Sequence, residues 1–334
     1  MSSQKRWDVF ADIVINKFIN PNQGASLLIL GDVETDPGLS SACLASALRA
    51  KTEAQLMIYK RVSWGEEAKF SSTVDAAIKN SKYILGLHTN FINTDASREA
   101  LKNGSRILAT QPWGIEEYLI KGVLDVDLDS MIKNGNLTKQ LWDTTDTCEV
   151  KSSNGTDIKF QFGKRSTLVG DGMITEDGEA DYFPGVQVSI APVEETINGT
   201  VTVDASDNVQ GVLKEPYSLT LTNGVITKVE GGFEANVMRN WLESRNDPTI
   251  YKLCHFTIGL NPKAGISGNM IEDERKFTAI DFGFGYQDPK FGGTVGLSQY
   301  HMDIMLSAPT VILDGKEMSG EGSFSSGVGF VDVS

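Results

Sequence analysis

Hydrophobic and polar positions follow two textures along the chain. In the first part, stretches with a helical repeat alternate with short, continuous apolar runs. WDVFADIVINKFI (7–19) repeats as a helix and SLLILGD (26–32) as a buried strand. GLSSACLASALRAKT (38–52) is an amphipathic helix and AQLMIYK (54–60) a strand. STVDAAIKNSK (72–82), ASREALKNG (96–104) and the long IEEYLI…TKQL (115–141) are helical, and YILGLH (83–88) and RILAT (106–110) lie between them as strands. Alternating strands and helices imply an α/β domain with a mostly parallel sheet. From about residue 146 the runs are shorter and β-rich, broken by Asn154-Gly155, Asn198-Gly199, Asn223-Gly224 and Asp314-Gly315. These dipeptides tolerate positive φ and favour tight hairpins. SLTLTNGVITKVEGG (218–232) is the clearest hairpin, and EANVMRNWLESR (234–245) is a helix. The expected architecture is an α/β domain over 1–145 followed by an α+β domain rich in antiparallel strands over 146–334.

Length and charge narrow the class. A chain of 334 residues is long enough for two domains. A net charge of -14 argues against nucleic acid and anionic membrane surfaces as partners. No apolar run reaches membrane-spanning length and the first residues lack a signal-peptide pattern, so a cytoplasmic location is expected. Cys43, Cys148 and Cys254 are odd in number and widely spaced, and read as buried free thiols. The glycine-rich stretches 28–38 and 282–293 lack the strand–loop–helix context of a phosphate loop, and read as turns.

Histidine is the scarcest chemical resource, with three in the chain. His301 and Asp303 lie two apart in a strand-like run, GLSQYHMDIML (296–306), so both side chains point to one face. His255 lies in a second such run, IYKLCHFTIGL (250–260). Two imidazoles and a carboxylate are the donor set of a facial triad for non-haem Fe(II). An H-x-D pair on a strand is also a common ion pair. His88 ends the run YILGLH, and the carboxyl ends of strands are where open α/β sheets hold their functional groups.

Several segments together resemble a known scaffold. VQVSIAPVEETINGT (186–200), HFTIGLNP (255–262), the glycines near FGG, the H-x-D strand and TVILDG (310–315) resemble the thermophilic-aminopeptidase family of two-metal peptidases. The donors of that family are incomplete here: Gln187 and His255 stand at its glutamate positions and Asp281 at a histidine position. The substitutions instead resemble the 2,5-dihydroxypyridine 5,6-dioxygenase family on the same scaffold. That resemblance implies one Fe(II) per chain held by His255, His301 and Asp303, with His88 as the acid–base group. It also implies a small aromatic substrate and O2 as reactants, and a homodimer or larger homo-oligomer. Leu87, Thr89 and Asn90, around His88, are the candidate substrate-binding residues. Asp281 and Gln187 are expected beside the metal or one shell out, and Trp113 and Phe282 as pocket walls or core. Metallo-aminopeptidase is the competing reading.

Overall fold

In the first compact unit of the computed structural model, the short apolar runs form a parallel sheet. The structure describes residues 3–61, 70–89, 91–92 and 94–333. This unit comprises residues 1–125 and 170–184. Its sheet is built from β1 (Ser26–Asp32), β2 (Glu53–Tyr59), β3 (Tyr83–Gly86), β4 (Arg106–Ala109) and β5 (Ala180–Tyr182), in the order β2-β1-β3-β4-β5, and every pairing is parallel. The strands β1, β3 and β4 are buried along almost their whole length. That is why they read as unbroken apolar runs rather than alternations. Helices Pro37–Arg49, Ser72–Asn80 and Asp95–Lys102 carry side-chain caps from Asp36, Ser71 and Thr94. β2 is one of the two edge strands, and Tyr59 is its last residue.

The second unit comprises residues 126–169 and 185–334. An eight-stranded sheet, antiparallel at each pairing described, includes Tyr217–Thr222 and Val225–Gly231, the expected hairpin. Its turn residues Asn223 and Gly224 have φ of 49° and 76°, which an Asn-Gly pair adopts at little cost. A seven-stranded sheet has as central strands β6 (Gln187–Ile190), β7 (Leu253–Gly259), β8 (Ile280–Gly285) and β9 (His301–Leu306) in the order β9-β8-β7-β6, again antiparallel. Among these sheets, Phe160, Phe162, Phe256, Phe282 and Trp142 form an aromatic core. Phe282 therefore packs inside and is not a pocket wall.

Four local expectations change. The boundary expected at 145/146 does not match the division of the chain. The run 115–141 is two helices, Glu116–Leu124 and Leu128–Asp143, and the second belongs to the second unit. Asp127 makes the break, its carboxylate accepting the N–H groups of Asp129 and Ser130 as an N-cap. Residues 170–184 return to the first unit, because β5 extends its sheet. Asn198-Gly199 is not a turn but lies in the strand Asn198–Val203, where Gly199 (φ 138°) comes too close to the Asp157 carbonyl for any side chain. Finally, Gly283 and Gly285 are strand residues of β8, not turn residues. All three cysteines are buried free thiols. Among the described residues no helix is long and apolar enough to cross a membrane.

Candidate metal centre

Sheet register brings the second-unit candidates together. His255, Gly283 and Asp303 are direct cross-strand neighbours on β7, β8 and β9. Cross-strand neighbours share a face, and residues two apart on one strand share it too. His301, paired with Gly285, and Asp281, two residues before Gly283, therefore join the same face. Gly283 sits in the middle of this group with no side chain. A Cβ there would lie 2.2–2.6 Å from ring atoms of His255. The glycine thus opens the space into which the His255 ring turns.

A second device acts on β7. The register shifts between Leu253 and His255, a bulge that sets two residues of β7 against one of β8. Bulges re-aim side chains locally. Here Cys254 ends up beside the histidines, with Sγ 3.7 Å from His255 Nδ1 and 3.9 Å from His301 Nδ1.

The donor atoms converge closely. His301 Nε2 is 2.8 Å from Asp303 Oδ1, His255 Nε2 is 3.5 Å from that same oxygen, and His255 Nε2 is 2.7 Å from Asp281 Oδ2. Atoms of His255, Asp281 and Asp303 all lie within 4.8 Å of one another, as do atoms of Cys254, His255 and His301. Asp303 Oδ1 thus lies near both His301 and His255, and Asp281 joins the group on the His255 side. A carboxylate that merely orients an imidazole takes its outer nitrogen. Asp281 instead touches Nε2, the nitrogen nearest Asp303. His301 Nδ1 is 3.0 Å from the Tyr286 carbonyl, which can accept its proton and so turns Nε2 toward Asp303. Asn208 Nδ2 donates to Asp303 Oδ2 and to the His301 carbonyl, both at 3.3 Å.

The electrostatics of the cluster favour an added positive charge. Asp281 is pushed up to about 6 by burial and by Asp303, against the pull of His255. Glu274 is pushed up to about 8 by burial and by the charges of Asp303 and Asp281, with Arg275 and His255 opposing. Burial lowers the histidines, but Asp281 and Cys254 outweigh it at His255, and Asp303 and Cys254 at His301, so both end well above their ordinary value. Buried carboxyls this close repel one another and recruit protons or a cation. Asp281 Oδ1 is buried with no hydrogen-bond partner among the described residues. That orphaned oxygen, with two imidazole nitrogens and the Asp303 carboxylate, fits a divalent cation. Glu274, Asn208, Gly283 and the Cys254 bulge escaped the sequence reading, because no local repeat marks a residue that matters only through cross-strand neighbours. Gln187, the first residue of β6, has a buried Oε1 with no hydrogen-bond partner among the described residues.

In the first unit, His88 lies just past β3 and is 1% exposed. Its Nδ1 is 3.0 Å from Tyr59 Oη, and its Nε2 is buried with no hydrogen-bond partner among the described residues. Burial pulls its pKa down to about 4, with Asp32 opposing. His88 is therefore neutral at neutral pH, below the ordinary value of about 6.5 from which a ready proton shuttle is expected. Leu87 is fully buried and its N–H donates to the Leu30 carbonyl. The Thr89 hydroxyl donates to Gln111 Oε1 at 3.1 Å. Asn90 lies outside the described residues. Trp113 carries the Arg61 guanidinium over its ring at 4.1 Å.

Comparisons with known proteins bear on both units. Residues 23–326 match the family described as 2,5-dihydroxypyridine 5,6-dioxygenase. A curated relative of that name from Pseudomonas putida KT2440 is 25% identical over 236 residues, 67% of this chain and 66% of the relative. The aligned stretch thus falls just short of two thirds of that protein. A solved structure of 2,5-dihydroxypyridine dioxygenase from the same organism superposes with a TM-score of 0.76 at 20% identity, covering 97% of each chain. Wild-type AmpT from Thermus thermophilus superposes at 0.70 with 14% identity, covering 97% of this chain and 100% of that one. At such identities both structures establish the fold alone.

Proposed function

The chain belongs to the 2,5-dihydroxypyridine 5,6-dioxygenase family, and from that premise we propose that it is an Fe(II)-dependent dioxygenase opening a hydroxylated pyridine ring. The substrate is 2,5-dihydroxypyridine or a near analogue, and the product is of the N-formylmaleamate type, with both atoms of one O2 entering the ring-opened acid. The observation that carries this reading is the convergence of His255, His301 and Asp303 around the side-chain-free position of Gly283. Two imidazoles and a carboxylate are the donors that suit non-haem iron. Bound there, Fe(II) supplies the open coordination positions and the one-electron chemistry that let O2 react with an electron-rich ring.

The protein's own contribution is positioning and proton control. Tyr286 and Asn208 hold His301 and Asp303 in orientation from behind. Asp281 supplies a second carboxylate at the His255 edge, so the centre carries enough negative charge for a dication. Phe291, 9% exposed and with its ring 6.0 Å from that of His255, offers an apolar wall to an aromatic substrate. His88 is the acid–base group: neutral at neutral pH, it can take a proton from a ring hydroxyl at Nε2 and return it to the opened product. Leu87, Thr89 and Asn90, its neighbours in sequence, are the substrate-contacting residues. The family resemblance further implies a homodimer or larger homo-oligomer, which sedimentation at micromolar concentration tests.

Anaerobic Fe(II) reconstitution followed by oxygen uptake decides the function. We expect one iron per chain and one O2 consumed per 2,5-dihydroxypyridine opened. Two tightly bound Zn or Co ions per chain, with peptide hydrolysis and no oxygen uptake, would establish the metallo-aminopeptidase reading instead.

A further inference from the structure

We propose that Tyr59 is the positioning residue for His88: its hydroxyl holds Nδ1, so that Nε2 is the nitrogen offered to the ring substrate. The inference rests on the reading of His88 as the acid–base group. Tyr59 closes the edge strand β2, in register with Asp32 at the end of β1. β1 lies between β2 and β3 in the sheet, and His88 follows the end of β3. Three strand ends thus bring Tyr59, Asp32 and His88 to one rim of the sheet. The two rings meet edge to face, centroids 4.7 Å apart at 72°, with the hydroxyl 3.0 Å from Nδ1. Phe91 and Phe70 stand at 5.5 and 6.5 Å from the imidazole and complete an apolar collar. Tyr59 and Phe70 also pack edge to face, at 4.9 Å. The imidazole can therefore neither tilt nor flip without breaking this packing.

Within the collar the two nitrogens differ. Nδ1 has a partner and Nε2 has none among the described residues. A buried nitrogen without a partner is costly, and it persists in a native fold where a ligand satisfies it. The phenol suits a group that must change protonation state. With O–H donating to Nδ1, the imidazole carries its proton on Nε2 and can donate to a ring heteroatom. With Nδ1–H donating to Oη, Nε2 presents its lone pair. A proton then leaves a substrate hydroxyl, its bonding pair stays on the ring oxygen, and Nε2 gains the proton to give imidazolium. The Nδ1–H···Oη bond survives that change and strengthens, because charge-assisted bonds are the stronger ones. A carboxylate at this position would hold the imidazole charged beforehand, and a phenol does not. Tyr59 thus plays the orienting part without adding charge.

The test is Tyr59→Phe, which removes one oxygen and keeps the ring packing. Bound iron is expected to match wild type, KM to change less than about twofold, and kcat to fall about tenfold, the size of one neutral hydrogen bond. Long-range proton–nitrogen NMR of 15N-histidine-labelled protein reads the tautomer directly, with three histidines to assign. The nitrogen signals of His88 should move in Tyr59→Phe, and those of His255 and His301 should stay. The double variant Tyr59→Phe/His88→Ala should turn over no more slowly than His88→Ala alone. Wild-type kcat and unmoved His88 signals in Tyr59→Phe, beside a slow His88→Ala, would overturn the role of Tyr59 and leave His88 standing. Full activity in His88→Ala would overturn both.

Discussion

His88 and the His255–His301 pair show how one side chain is given two different titrations by its neighbours. His88 sits among Tyr59, Phe70 and Phe91, with a phenol as its hydrogen-bond partner, and burial dominates its titration. His255 and His301 sit beside Asp281 and Asp303, which together with Cys254 outweigh burial. An apolar surround with a neutral partner suits a group that must gain and lose a proton. A surround with surplus negative charge suits groups that hold a cation. Burial sets the direction of the shift at His88, and the neighbours' charge sets it at His255 and His301.

The most damaging test of this contrast removes the second environment. His255→Ala, His301→Ala or Asp303→Ala should each reduce bound iron from about one per chain to near zero and abolish turnover, read by elemental analysis and oxygen uptake. Next in size, His88→Ala should keep its iron while turnover falls ~10²–10⁴-fold, the usual loss for a positioned proton-transfer group. Loss of iron from His88→Ala would collapse the comparison, making His88 a ligand. Asp281→Asn sharpens it further. If Asp281 faces the metal, iron affinity should drop about 10–100-fold, as it does when a supporting group of a metal site is lost. Titration with a competing chelator measures this, and an unchanged affinity would confine Asp281 to shaping the empty site.

The smallest expected effect is a pH dependence of stability. The folded pKa of His88 lies near 4, below the ordinary value of about 6.5, so the unfolded chain takes up this proton first. Its contribution is fully present above about 6.5 and is lost as pH falls from there toward 4. Between pH 7 and 5.5 the wild type should lose about 1 kcal/mol more than His88→Gln, since a tenfold difference in proton affinity between folded and unfolded chains is worth about 1.4 kcal/mol. Denaturant melts of the two proteins at both pH values would show it, and equal losses would mean that His88 is not held neutral by its surroundings.

Much of this was legible in the chain itself. Continuous apolar runs identified the parallel strands because buried strands have no polar face to show. Asn223-Gly224 marked its hairpin because the backbone there needs positive φ at both positions. The two-residue period put His301 and Asp303 on one face, and histidine scarcity singled out His255 and His88. What the chain did not show is set by cross-strand register. Gly283 matters because His255 and Asp303 flank it on neighbouring strands, far away in sequence. The bulge at Cys254, the approach of Asp281 to His255 Nε2, the hold of Asn208 on Asp303 and the pairing of Tyr59 with His88 have the same origin. The boundary between the units was hidden likewise, because residues 170–184 join the first unit through the pairing of β5 with β4. Local sequence determines the backbone period and the turns, since those depend on sterics within a few residues. Which side chains meet, and at what charge, depends on the register and burial that only the packed chain fixes.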